Sequence, residues 1–170
     1  TGESISYEGP SGVARVLETM LESERWQPVY EADRLVGLRD GKASITLEPG
    51  GQVELSGEVF GSLHGAHAEL RAHVSDVVSV GDKLGLSFLG IGMVPTTPLE
   101  RMPWMPKERY HIMRRVMETT GTLGHRMMQQ TATVQSNFDY SDENDARQKF
   151  RLAMALSPVL VAMSANSPVA

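Results

Sequence analysis

The stretch ITLEPGGQVELSG, residues 45–57, decides the architecture that this sequence predicts. It contains two short runs of alternating aliphatic and polar residues, joined by the turn sequence Pro-Gly-Gly at 49–51. Because alternate side chains of a strand share a face, Ile45 and Leu47 lie on one side and Glu48 on the other. The pattern therefore predicts a β-hairpin with an apolar face toward a core and a polar face that carries carboxylates.

Sequence on either side of this hairpin predicts further strands and several helices. Short apolar runs separated by turn residues indicate an antiparallel meander at residues 29–30, 35–38, 45–47 and 53–55. Helical spacing predicts helices over about residues 11–24, 63–83 and 107–120, and a long helix over 141–165 interrupted near Pro158. A buried strand is predicted over 86–95 and another strand over 131–140. Consecutive strands with hairpin-length links favour an α+β domain, a mostly antiparallel sheet with helices packed on one face, over a parallel doubly wound fold.

Composition limits the kinds of partner that we expect. The chain has 170 residues, a formal net charge of −5 and no basic block, which argues against nucleic acid as the main partner. A polyanion such as ATP would need metal ions to bind here. With no cysteine, no membrane-spanning apolar run and no signal-peptide pattern, we expect a cytoplasmic protein without a membrane partner. We interpret residues 1–170 as a single partial catalytic domain, truncated at both ends.

The polar face of the hairpin is a candidate metal site. If residues 49–51 form the loop, Glu48 and Glu54 become diagonal neighbours, about 7–8 Å apart at the backbone. Two carboxylates at this separation can converge on Mg²⁺, whose bonds to oxygen are about 2.0–2.1 Å long. The alternative is an edge hairpin whose glutamates face solvent and only confer solubility. The absence of cationic residues within the hairpin favours the metal site.

A second polar face follows the predicted strand TATVQSNFDY, residues 131–140. Thr133, Gln135 and Asn137 alternate with less polar residues and carry hydrogen-bonding groups without charge. Such groups suit a half-buried lining of a substrate cleft, although an exposed polar strand would give the same pattern.

Arg109 is the candidate for binding a substrate carboxylate. It begins the third predicted helix after a proline-rich loop, and a guanidinium can grip a carboxylate by two parallel hydrogen bonds. Lys107 is a weaker candidate for a phosphate contact, and a solvated surface charge remains the alternative for both. Helical spacing places Tyr110 in the core and His67 on a half-buried apolar stripe. No residue is assigned as a catalytic acid, base or nucleophile.

Five motifs, in order along the chain, carry a resemblance to a known family. They are ITLEPGGQVELSG, FLGIGMVP, MPKERYHIMRRVM, TATVQSNFDY and ALSPVLVAMSANSP. Together they closely resemble plant-type glutamate–cysteine ligase, the form shared by plants and many proteobacteria. The resemblance implies a glutamine-synthetase-like carboxylate–amine ligase fold, in which an antiparallel sheet forms a cradle with helices behind it.

The resemblance also implies a reaction and a set of site residues. ATP would phosphorylate the γ-carboxylate of glutamate, and the cysteine amine would displace phosphate to give γ-glutamylcysteine, the first step of glutathione synthesis. Glu48 and Glu54 match the family's Mg²⁺-binding carboxylates, and Arg109 matches its glutamate-binding arginine. Thr133, Gln135 and Asn137 match the strand that lines its substrate cleft.

Two other interpretations stay open at this point. One is a related ligase that joins a carboxylate to a different amine, and the other is a non-catalytic binding domain that keeps the cradle. In either ligase interpretation, we expect this segment alone to be inactive.

Overall fold

The computed structural model describes residues 2–167, and the domain bounds predicted at residues 1 and 170 lie outside them. Four strands follow the first helix, and the remaining helices come after the sheet. The helices are α1 (Val13–Leu21), α2 (Leu63–Leu84), α3 (Glu108–Thr120), α4 (Gly124–Gln130) and α5 (Glu143–Met163). The strands are β1 (Gln27–Glu31), β2 (Arg34–Asp40), β3 (Ala43–Leu47) and β4 (Val53–Ser56). A short 3₁₀ helix, Leu99–Arg101, precedes α3.

The sheet is a purely antiparallel meander in the order β1-β2-β3-β4. Its β3–β4 hairpin has the predicted register, since Thr46 pairs with Glu54 and Leu47 with Val53. The alternation of apolar and polar residues therefore places Thr46 and Glu54 on one face of the sheet. The predicted meander and the α+β class are confirmed.

The core lies on the opposite face of the sheet. Helix α1 packs on β2, and α2 packs on α1 from behind. Tyr110 of α3 and Met105, in the loop before it, complete this core. The fully or nearly buried members from the sheet and the first two helices are Val13, Val16, Leu17, Met20, Leu35, Leu38, Ile45, Leu47, Val77 and Val80.

Helix α2 covers nearly the predicted residues 63–83 and has a capping residue at each end. The Ser62 side chain accepts a hydrogen bond from the Gly65 N–H, and Gly85 ends the helix in the left-handed conformation with φ 66°. The apolar stripe of α2 that includes His67 is exposed, however, so the expectation of a half-buried His67 is wrong. The residues that the helix buries, Val77, Val80 and Gly81, lie toward its C-terminal end.

Three further expectations are wrong. Residues 86–95 and 132–140 do not form strands, because the only ladder contact either segment makes among the described residues is an isolated bridge between Met93 and Thr131. An extended segment needs a neighbouring strand to satisfy its N–H and C=O groups, and sequence alternation does not supply one. Helix α5 continues through Pro158 without interruption, and α4 was not predicted.

The turn of the β3–β4 hairpin packs against the end of α4. Pro49 accepts a hydrogen bond from the Met105 N–H at 2.9 Å, and Gly51 adopts φ 90°. Gly50 lies so close to Gln129 that a Cβ at this position would be 2.9 Å from the Gln129 carbonyl carbon and would clash with its oxygen. Glycine at 50 is therefore required by close approach of two backbones.

No helix within residues 2–167 has the length and apolar character needed to cross a membrane.

Replacing Gly50 by Ala tests the packing of the turn against α4. The added methyl group meets backbone atoms that cannot move aside cheaply, so we expect the free energy of unfolding to fall by about 1–3 kcal/mol. Urea unfolding followed by circular dichroism measures this change. Gly61→Ala is the control because a Cβ there meets no atom within 4 Å. Equal stability of the two variants would contradict this packing.

His73 on α2 predicts a dependence of stability on pH. Burial lowers the pKa of His73, against the opposing charges of Asp76 and Glu69, and its Nδ1 is buried without a hydrogen-bond partner among the described residues. The unfolded chain therefore binds a proton near pH 6.5, where the folded chain does not. We expect the free energy of unfolding to fall as pH drops below about 6.5, and His73→Leu to reduce that slope. An unchanged slope in the variant would contradict the assignment.

Candidate functional site

The paired carboxylates lie together on the polar face of the hairpin. Glu48 directly follows β3, and its N–H donates to the Gln52 carbonyl at 3.0 Å, which continues the pairing to the edge of the turn. Glu48 and Glu54 are both half-buried. Burial raises the pKa of Glu48, and the negative charge of Glu54 raises it further. The charge of Glu54 therefore acts on Glu48, while the role of the two carboxylates as metal ligands stays a prediction.

Arg109 joins this pair from the first turn of α3. Its Nη2 lies 3.3 Å from Glu48 Oε1 and donates to the Tyr110 hydroxyl at 2.7 Å. The positive charges of Arg109 and Lys107 lower the pKa of Glu48, but burial and Glu54 outweigh them. The fold therefore brings Glu48 and Arg109 together although 61 residues separate them.

Lys107 is more deeply placed than its sequence context indicates. It is only 7% exposed, its Nζ lies 3.4 Å from the Leu47 carbonyl oxygen, and the ammonium lies 5.4 Å from the centroid of the Tyr110 ring. Burial lowers the pKa of Lys107, and the neighbouring charge of Arg109 lowers it further. Burying a lysine is costly unless nearby negative charge compensates. The carboxylates that oppose the shift are those of Glu31, Glu48 and Glu54.

The hydroxyl of Tyr110 is a site group that the sequence did not identify. The ring is buried, as helical spacing predicts, but the hydroxyl donates to the Leu47 carbonyl and accepts from Arg109. Burial raises the pKa of Tyr110. One tyrosine therefore connects the end of β3 with the guanidinium. Periodicity reports which face of a helix is buried but not where the end of a long side chain lies.

Glu31 at the end of β1 is the second residue that the sequence missed. Its Oε2 accepts a hydrogen bond from the Glu108 N–H at 3.0 Å, at the first residue of α3. A carboxylate is stabilised at a helix N-terminus by free N–H groups and by the helix dipole. This contact fixes the start of α3, and with it Arg109, against the sheet.

Gln52 fastens the hairpin turn to α4. Its Oε1 accepts from the Gly50 N–H at 2.9 Å, and its Nε2 lies 2.7 Å from the Thr131 carbonyl oxygen. The same Nε2 is within 3.2 Å of the Met128 carbonyl oxygen and 3.3 Å of that of Gln129. The last carbonyls of a helix have no partner within the helix, so this amide supplies a donor that they require.

The three predicted substrate residues on 131–140 lie apart from this cluster. Thr133, Gln135 and Asn137 are exposed, and Gln135 Nε2 donates to Thr133 Oγ1 at 3.2 Å. The expectation of a half-buried lining is wrong in this structure, because residues 132–140 have no strand partner to hold them against the sheet. The beginning of the segment is fixed, however, by the hydrogen bond between Gln52 and the Thr131 carbonyl.

The donor chemistry of Glu48 and Glu54 fits Mg²⁺. Oxygen ligands are those that Mg²⁺ prefers, and proteins commonly supply one or two carboxylates while waters and substrate phosphates complete the octahedron. Within residues 2–167 no group of three or more His, Cys, Asp or Glu side chains is arranged to hold a metal ion.

Comparison with known proteins shows which family this chain resembles. The model of glutamate–cysteine ligase family 2 matches residues 1–170. The chain is 47% identical over 156 residues to the chloroplastic glutamate–cysteine ligase of Arabidopsis thaliana, covering 92% of this chain and 30% of that protein. It is 46% identical over 156 residues to the enzyme of Nicotiana tabacum, with the same coverage. Against glutamate–cysteine ligase A of Oryza sativa subsp. japonica it is 46% identical over 153 residues, 90% of this chain and 31% of that protein.

These comparisons correct one expectation and establish the family. The relatives are named as chloroplastic enzymes, which contradicts the prediction of a cytoplasmic protein. That prediction used composition and cysteine content, which reflect the chemistry of a folded domain but not its cellular address. The chain spans about 30% of the length of these relatives. A match over its whole length shows that this chain belongs to glutamate–cysteine ligase family 2.

Proposed function

We propose that the natural protein carrying this sequence ligates the γ-carboxylate of L-glutamate to the amine of L-cysteine at the expense of ATP. The reaction passes through γ-glutamyl phosphate and is the first step of glutathione synthesis. The observation that carries the proposal is the cluster of Glu48, Glu54 and Arg109 on the polar face of the hairpin, in a chain of this family. Because the chain spans about 30% of its relatives, it contributes part of the active site.

Glu48 and Glu54 are proposed to hold Mg²⁺ together with phosphate oxygens of ATP. When bound, the ion neutralises negative charge and aligns the reacting oxygens of phosphoryl transfer. The protein's own task is to keep two carboxylates side by side despite their repulsion. Packing of the hairpin and the charges of Arg109 and Lys107 support this arrangement in the absence of the ion.

Arg109 is proposed to bind a carboxylate of glutamate. Among the described residues, its contacts with Glu48 and Tyr110 both use Nη2. Both edges of a guanidinium that can donate two parallel hydrogen bonds include Nη2, so a bidentate grip on a substrate carboxylate would replace the 3.3 Å contact with Glu48. Tyr110 would keep the guanidinium oriented through its 2.7 Å hydrogen bond, so little side-chain freedom is lost when the substrate binds.

Thr133, Gln135 and Asn137 are proposed to line the substrate cleft. Their hydroxyl and amide groups can both donate and accept hydrogen bonds, which suits a polar substrate. The hydrogen bond from Gln52 to the Thr131 carbonyl fixes the start of this segment beside the hairpin. No proton transfer is assigned to any residue of this chain.

The direct test measures phosphate release by the natural protein from ATP and Mg²⁺ in the presence of glutamate, with and without cysteine. We expect release that depends on both amino acids and equals the γ-glutamylcysteine formed. Release that requires another amine in place of cysteine would indicate a different ligase of the same chemistry. A folded protein that releases no phosphate with either kind of acceptor would contradict the proposal.

Replacing Glu54 by Ala tests the metal role. Loss of one of two carboxylates should lower kcat by about 100-fold or more, since electrostatic groups at a reaction centre commonly contribute about 10²–10³. The Mg²⁺ concentration for half-maximal rate should also rise. Glu58→Ala is the matched control because Glu58 is an exposed glutamate just beyond β4. Wild-type turnover by folded Glu54→Ala would remove this residue from the site.

Replacing Arg109 by Lys tests carboxylate binding while keeping the charge. A lysine cannot form the two parallel hydrogen bonds, so KM for glutamate should rise about 10-fold, the equivalent of about 1.4 kcal/mol, with KM for ATP little changed. Arg115→Lys, an exposed change on the same helix, serves as the control. An unchanged KM for glutamate would exclude Arg109 from substrate binding.

A further inference from the structure

We propose that Gln52 is a positioning residue for the metal site, one that sets the place of Glu48 through the hairpin turn and links it to the segment beginning at Thr131. The inference rests on the proposed function, since it deepens the account of the same site. Gln52 touches no substrate in this proposal and acts only through other residues.

The first step of the argument is the position of Gln52 within the turn. Its carbonyl accepts from the Glu48 N–H at 3.0 Å, and its own Oε1 accepts from the Gly50 N–H at 2.9 Å. The Gly51 N–H closes the turn by donating to the Glu48 carbonyl at 3.0 Å. The backbone and the side chain of Gln52 therefore both hold the loop that follows Glu48.

The second step is the attachment of this turn to the rest of the molecule. The Gln52 amide nitrogen reaches three carbonyl oxygens, those of Met128, Gln129 and Thr131, at 2.7–3.3 Å. These oxygens end α4 and begin the segment that carries the predicted substrate residues. Gly50 meets the Gln129 backbone in the same contact, so the turn cannot shift toward α4. The hydrogen bonds of the Gln52 amide prevent the turn from shifting away from α4.

The third step is the consequence for metal binding. Mg²⁺ demands near-ideal octahedral geometry, so its carboxylate ligands must be held closely in place. Groups that orient metal ligands from outside the coordination sphere typically contribute about 10–100-fold to metal affinity or activity. Removing the Gln52 amide frees the turn from α4, and Glu48 then moves relative to Glu54. Metal affinity should fall even though Gln52 carries no charge.

The test uses the natural protein with Gln52→Met, which keeps the volume and loses every side-chain hydrogen bond, and Gln52→Glu, which keeps an acceptor for the Gly50 N–H. Mn²⁺ affinity in the presence of ATP is measured by electron paramagnetic resonance, alongside the Mg²⁺ dependence of activity and thermal unfolding. We expect Mn²⁺ affinity to fall about 10-fold in both variants. Gln148→Met on the exposed α5 serves as the control.

Mn²⁺ affinity equal to wild type in either folded variant would overturn the inference, even if stability had dropped. If Gln52→Met fails to fold, Gln52→Glu decides by the same criterion.

These outcomes separate the inference from the proposed function. Absence of cysteine-dependent phosphate release in the wild-type protein would contradict the function, while Mn²⁺ affinity would still report on Gln52. Normal ligase activity in wild type with unchanged Mn²⁺ affinity in the variants would overturn the inference alone.

Discussion

Close contact between the hairpin turn and the end of α4 is the constraint on which the site depends. Gly50 approaches the Gln129 backbone to a distance that no side chain permits, and Gln52 donates to the carbonyls at the same place. Carbonyls at a helix end need hydrogen-bond donors, and the Gln52 side chain in the turn supplies one. The helix end in return supports the tight turn. Glu48 directly follows β3 beside this contact. Its position therefore depends on the packing of the turn backbone against the backbone of α4.

The charges around Glu48 are balanced within a small, partly buried region. Three carboxylates, those of Glu31, Glu48 and Glu54, act on Lys107, and Arg109 lies beside them. Burial raises the pKa of Glu48 most, and the charge of Glu54 raises it further despite the two cations. A divalent ion bound here would favour the charged form of both carboxylates. Under the proposed function, Arg109 and Lys107 would also meet the negative charge of incoming substrates.

The sequence predicts the features that depend on local periodicity. Predictions from it fail where pairing between distant segments determines the structure. The β3–β4 register and the approximate extent of α2 were predicted, because strand alternation and helical spacing are local properties. Residues 132–140 alternate equally well yet form no strand, since a strand exists only with a partner. The roles of Tyr110 and Gln52 depend on contacts with residues distant in sequence. Glu48 and Glu54 were identified from strand alternation and Arg109 from its place at a helix start, and the family motifs contain all three; the contact between Glu48 and Arg109 required the fold.

The central claim is that the two hairpin carboxylates bind one divalent ion together, and a double-mutant cycle tests it most directly. Mn²⁺ affinity in the presence of ATP is measured for wild type, Glu48→Gln, Glu54→Gln and the double variant of the natural protein. If both side chains hold the same ion, the two single losses should be strongly non-additive, with the double variant little worse than either one. Wild-type affinity in both single variants, or fully independent losses that multiply, would contradict the account.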